Sequence, residues 1–196
     1  MQLKIADIFS ILNAVFGFLG VCNLIEGNLI FATKLILLSA LMDGIDGFIA
    51  RKKGNSDFGK ELDSLADLIS FGVLPSAILF KLGHVYASIS YLLSSLIRLA
   101  RFNVLRFEDF LGLPTTASAL MMVCFVSLNL PYVEFVGLIL ALLMVSNLRY
   151  SKVRRKNVLV VVGIVVLLSI FVNDALYILL ALLIAYVISP IFKVKL

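Results

Sequence analysis

The sequence predicts an all-α polytopic transmembrane bundle, with six core spans and about eight in total, folded as a single integral membrane domain over residues 1–196. Three observations predict it. Sixty-two per cent of the residues are hydrophobic and only 15% are charged, whereas soluble domains are roughly half apolar and a quarter charged. Mean hydropathy is +1.11. Apolar runs of helical length recur along the whole chain, separated by turn residues and, at every second break, by basic clusters.

The apolar segments run over 6–25, 29–50, 62–81, 84–106, 114–130, 133–148, 157–172 and 175–192. A hydrocarbon core of about 30 Å takes about 20 helical residues. The last four segments are short by that measure and also read as hairpins or re-entrant pieces. The breaks at Glu26-Gly27-Asn28, Gly83-His84, Pro131-Tyr132 and Asn173-Asp174 carry turn residues and almost no positive charge. The alternate connections carry Arg51, Lys52, Lys53 and Lys60, then Arg106, then Arg149, Lys152, Arg154, Arg155 and Lys156. With Lys4, Lys193 and Lys195, thirteen of the seventeen basic residues fall on one side of an eight-span topology. The positive-inside rule makes that side cytoplasmic, in a membrane expected to be a prokaryotic cell membrane. The net charge of +5 is therefore a topology signal and an attraction for anionic membrane lipids. It is not evidence for nucleic acid. Cys22 and Cys124 sit inside apolar runs without metal-ligand spacing and read as packing residues. His84 falls in an outer turn, and Lys34 in the second segment is left without a role.

Chemistry enters with four carboxylates. Asp43 and Asp46 lie at the cytoplasmic end of the second segment, and Asp63 and Asp67 at the cytoplasmic start of the third. Each costs at least about 2–3 kcal/mol in a membrane span. Spacings of three and four residues put each pair on one helix face, and the short connection makes the two helices antiparallel neighbours. Divalent cations would relieve the repulsion among converging acids, and hard oxygen ligands suit Mg²⁺, Mn²⁺ or Ca²⁺. Gly47, Ala50 and Gly59 lie on the same faces and admit a bulky group to the backbone; they also suit close helix packing. With Arg51 they form a floor for a metal-bound diphosphate. A structural reading, in which the acids cap helices or pair with Arg51, Lys52 and Lys60, competes with this one.

The run Asp43-Gly44-Ile45-Asp46-Gly47-Phe48-Ile49-Ala50-Arg51, followed by Gly59, Asp63 and Asp67, resembles the signature of the CDP-alcohol phosphotransferase family, D-x-x-D-G-x-x-A-R and then G-x-x-x-D-x-x-x-D. All eight fixed positions match, within residues 43–67. Inside the family, three stretches are most similar to phosphatidylserine synthases: Asp63 to Val73, Arg98-Leu99-Ala100-Arg101-Phe102-Asn103-Val104, and Gly112-Leu113-Pro114-Thr115-Thr116-Ala117. Asn13 and Gly17 resemble the family's first helix.

The resemblance implies transfer of a phosphatidyl or ether-lipid group from a CDP-activated lipid to L-serine, with release of CMP. It implies a centre of two divalent metal ions held by Asp43, Asp46, Asp63 and Asp67, with Asp67 also the general base. It places Asn13, Gly47, Ala50, Arg51, Ser56 and Gly59 around the CDP moiety, and a homodimer is expected with it. Arg98 and Arg101, one helical turn apart in the fourth segment, need anionic partners. They read as captors of the acceptor carboxylate or a lipid phosphate, or as groups paired with the acids or reaching to headgroups. Arg106, nearer the interface, reads as a headgroup contact.

Two other readings stand beside this one. The same chemistry could serve another acceptor, such as glycerol phosphate, inositol phosphate or choline. A cation transporter would also use membrane carboxylates, but it would distribute them through the depth of the bilayer rather than gather them at one side.

Overall fold

The computed structural model describes residues 4–53, 56–104, 110–150 and 156–190. Arg106, Lys152, Arg154, Arg155, Lys193 and Lys195 lie outside the described residues. The chain opens with a helical hairpin, α1 (Ile5–Ile25) and α2 (Leu29–Lys53), turned at Gly27 with φ +92°. Next comes one continuous rod made of α3 (Asp57–Asp67), a π-helical stretch (Leu68–Val73) and α4 (Leu74–Lys81). Gly83, at φ +89°, turns the chain into α5 (Val85–Val104). Two more hairpins follow, α6 (Thr115–Ser127) with α7 (Val133–Val145) and α8 (Lys156–Phe171) with α9 (Asp174–Ile188). Among the described residues these helices follow the order of the predicted apolar segments. The third begins at Asp57 rather than 62 because Ser56 caps it, its Oγ accepting the Gly59 N–H at 3.0 Å.

The surface is inverted relative to a soluble protein. Ile25, Ile30, Leu142 and Phe171 are 70–78% exposed. Asp7, Ser10, Asn13, Asp46, Asp67 and Arg98 are buried. An apolar exterior around an apolar core that also encloses acids, hydroxyls and a guanidinium suits a hydrocarbon solvent. The protein is a helical membrane protein. Among the described residues, two helices qualify as spans by length and composition, Ile5–Ile25 and Asp57–Lys81. With 13 residues each, α6 and α7 reach only about 20 Å at 1.5 Å per residue.

The site-bearing half is set by close crossings. Gly17 and Gly20 of α1 face the π-helical stretch and α4, where an added Cβ at Gly17 would lie 2.8 Å from the Ser70 Cα. On the other flank, β1 (Phe110–Leu111) pairs antiparallel with β2 (Arg149–Tyr150). The extended chain there closes the end of α7: Leu113 N–H donates to Leu143 O at 3.0 Å, and Gly112 N–H to Leu148 O at 2.9 Å. Irregular backbone is thus satisfied inside protein, as a membrane setting demands. Gly112 has φ +77°, and a Cβ there would run into the Met144 carbonyl oxygen. Gly112→Ala should lower stability by at least about 1–3 kcal/mol from the left-handed backbone alone. Thermal unfolding in detergent measures this, and a curve matching the parent would refute it.

Candidate active site

The site is assembled where α2, α3, α5 and α6 meet under the first half of α1. Asp43 and Asp46 are one turn apart on α2, and Asp63 and Asp67 one turn apart on α3. One carboxylate oxygen from each of Asp43, Asp63 and Asp67 lies within 4.8 Å of the other two. Oxygens bound to one hard cation at about 2.1–2.5 Å sit at most about 5 Å apart, so the three fit around a single divalent ion. Asp46 is outside this trio. It is buried against α1 and accepts a hydrogen bond from Ser10 Oγ.

Two of the trio are also held by neutral donors from other helices. Thr116 Oγ1, in the first turn of α6, donates to Asp43 Oδ2 at 3.3 Å. Asn13 Nδ2 of α1 donates to Asp67 Oδ1 at 3.1 Å. Neutral donors fix carboxylate geometry without neutralising its charge, which leaves the acids competent to bind a cation.

Arg98 brings the positive charge. Its side chain is buried on α5, its Nη1 donates to Thr115 Oγ1 at 3.4 Å, and its Cζ lies 5.4 Å from the Phe102 ring centroid. It interacts electrostatically with Asp67, Asp43, Asp63 and with Tyr186 of α9. Arg101 is directed elsewhere. Its Nη1 donates to Val145 O at 2.8 Å and its Nη2 to Asn147 Oδ1 at 3.0 Å, so it closes the C-terminal end of α7.

The small residues have specific neighbours. The Arg51 guanidinium folds back over Gly47, its Nη1 3.3 Å from where a Cβ would be. Ala50 is buried. A Cβ at Gly59 would lie 2.7 Å from Asp7 Oδ1 and 3.1 Å from Ser56 Oγ. Ser56 itself is engaged as the α3 cap. Lys60 pairs with Asp57 at 3.2 Å, and His84 sits 3.4 Å from Glu134 at the opposite turn. Cys124 is buried in the apolar core and Cys22 is partly buried; both are free.

Sequence reasoning missed Asp7, Ser10, Thr115, Thr116 and Tyr186 as site neighbours. A signal for the first two was present. Asp7, Ser10, Asn13, Gly17 and Gly20 recur every three or four residues in an otherwise apolar helix, and all five are buried. That is a polar and small stripe facing protein rather than lipid.

The fold and this cluster together define a class: a membrane-embedded helical protein with a carboxylate trio able to hold a metal ion beside a buried guanidinium. The comparisons narrow it. The family described as CDP-alcohol phosphatidyltransferase matches residues 3–148, and the chain belongs to that family. The matched stretch stops short of α8 and α9. The chain is 35% identical over 175 residues to a CDP-diacylglycerol--serine O-phosphatidyltransferase of Methanocaldococcus jannaschii, covering 86% of this chain and 84% of the relative. It is 37% identical over 166 residues to an archaetidylserine synthase of Methanothermobacter thermautotrophicus, covering 77% and 71% respectively. A Helicobacter pylori protein, also a CDP-diacylglycerol--serine O-phosphatidyltransferase, is 33% identical over 171 residues, covering 76% of this chain and 72% of that one.

Proposed function

We infer that this protein transfers the phosphatidyl group, or its ether-lipid equivalent, from a CDP-activated lipid to the hydroxyl of L-serine and releases CMP. The observation that carries the transfer chemistry is the convergence of Asp43, Asp63 and Asp67 from two helices. The choice of serine rests on what the relatives are named for. In the reaction the serine Oγ–P bond forms, the P–O bond to CMP breaks, and the hydroxyl proton leaves to a base.

Asp43, Asp63 and Asp67 would hold one divalent ion, Mg²⁺ or Mn²⁺, and Asp46 would contribute to a second. Bound there, such ions would neutralise the diphosphate and stabilise the departing CMP. The protein's own groups do the rest. Arg51 over Gly47, with Ala50, Ser56 and Gly59 nearby, receives the CDP phosphates. Arg98 takes the serine carboxylate, for which its planar fork is suited. Asp67, its other oxygen tied to Asn13, accepts the hydroxyl proton. Arg101 supports Arg98's helix against α7, and Arg106 contacts lipid headgroups. The whole chain forms one integral membrane domain with eight membrane-embedded helices, working as a homodimer with the site open to the cytoplasm of a prokaryotic cell.

The test uses purified protein, a CDP-lipid in ester and ether forms, and serine, glycerol phosphate, inositol phosphate and choline as acceptors. CMP release should require serine and fall at least about 100-fold in EDTA, with Mg²⁺ or Mn²⁺ restoring it. CMP release indifferent to EDTA, or faster with a phosphorylated acceptor, would reject this reading.

A further inference from the structure

Asn13 is fully buried near the middle of α1, and three segments hold it in place. Its side-chain amide donates to Asp67. Its backbone carbonyl accepts two hydroxyls besides its place in the helix, Ser39 Oγ of α2 at 3.1 Å and Ser70 Oγ of the π-helical stretch at 2.7 Å. Gly17 makes the second of these possible. It is one turn further on, and any side chain there would fall on the Ser70 hydroxyl. The π-helical turn begins directly after Asp67 and delivers Ser70 to α1. Wide turns of this kind recur at functional sites because they re-aim the side chains beside them.

The orientation of the amide follows from chemistry. An ionised carboxylate only accepts hydrogen bonds, so the NH₂ group must face Asp67 and the amide oxygen must face away. That oxygen, Oδ1, is buried without a hydrogen-bond partner among the described residues. A buried acceptor without a partner is destabilising, so the arrangement is kept at the expense of stability. We propose that Asn13 is a positioning residue for Asp67, holding carboxylate oxygen Oδ1 through its side-chain amide while Ser39 and Ser70 anchor its backbone carbonyl. With Oδ1 held, the second oxygen of Asp67 stays available to take the proton of the attacking hydroxyl. The proposal rests on the reading of Asp67 as the base, and it differs from a contact between Asn13 and the nucleotide.

Three variants of the full-length protein in detergent, Asn13→Ala, Asp67→Asn and the double substitution, test it by steady-state kinetics with CDP-lipid and serine. Asn13→Ala should lower kcat about 10- to 100-fold and leave KM for the CDP-lipid within about threefold. The double variant should be no slower than Asp67→Asn, because Asn13 acts only through that carboxylate. A rise in CDP-lipid KM with kcat retained would make Asn13 a nucleotide contact and overturn the proposal. Fully additive effects would overturn it too. If Asp67→Asn itself kept full turnover, the reading of Asp67 as base would fail instead, so the two failures are distinguishable. Should Asn13→Ala not accumulate, Ser70→Ala removes one anchor of the clamp and should lower kcat severalfold at unchanged KM; unchanged kcat there refutes the clamp.

Discussion

Asp67→Asn should abolish turnover by about 10²–10⁴-fold, the usual worth of a general base, while the protein still folds and binds the CDP-lipid. The change is isosteric. The new side chain keeps an oxygen for the Asn13 amide, whose 3.1 Å bond survives, and the α3 rod keeps its packing. What disappears is a negative charge and a proton acceptor next to Asp43 and Asp63. Asp63→Asn should be as damaging by another route, through weakened metal affinity, and raised Mn²⁺ should restore part of its activity. Asp67→Asn should gain little from added metal. Rates across a Mn²⁺ titration for both variants measure this contrast. Near-parental turnover of Asp67→Asn, or full rescue of it by Mn²⁺, would remove Asp67 from the role of base.

The second large effect is expected at Arg98. This guanidinium is 6% exposed and interacts with three carboxylates at once. Taking one partner from a buried charge cluster typically costs about 3–5 kcal/mol, because the charges left behind have lost their compensation. Arg98→Leu should therefore melt well below the parent in EDTA and recover much of the difference in Mn²⁺, since a cation among Asp43, Asp63 and Asp67 replaces the missing charge. Its KM for serine should rise about 10- to 100-fold, matching the loss of a charged hydrogen bond worth about 1.5–3 kcal/mol. Arg98→Lys should keep the stability and lose most of the serine affinity, because an ammonium has no planar fork for a carboxylate. Arg98→Leu with unchanged melting in EDTA would mean that the charge of the acids is compensated by something other than this side chain.

Much of the architecture was legible in one sequence because its causes are local. Lipid exposure demands long apolar runs, and turn residues such as Gly27 and Gly83 mark the breaks. The four aspartates stood out because a carboxylate in an apolar helix is costly and needs a compensating partner. The third helix began earlier than hydropathy implied, since Ser56, Asp57 and Lys60 are polar, yet the cap and a helical ion pair suit a helix end in water. Arg98 and Arg101 looked equivalent by spacing, but α7 ends beside Arg101 and draws it to Val145 and Asn147, whereas Arg98 turns to the acids. No local rule separates two arginines three residues apart.

The amino-acid order alone determined the membrane class, the helix succession and the identity of the acids, because the 3.6-residue period and the cost of charge in hydrocarbon act on neighbours along the chain. Only the tertiary structure decided that Asp43, Asp63 and Asp67 form a trio while Asp46 turns to Ser10, and that Asn13, Thr116 and Arg98 converge on them from three other helices. Those outcomes depend on how closely helices cross. That closeness is set by contacts such as Gly17 against Ser70 and Gly112 against Met144, between residues far apart in sequence.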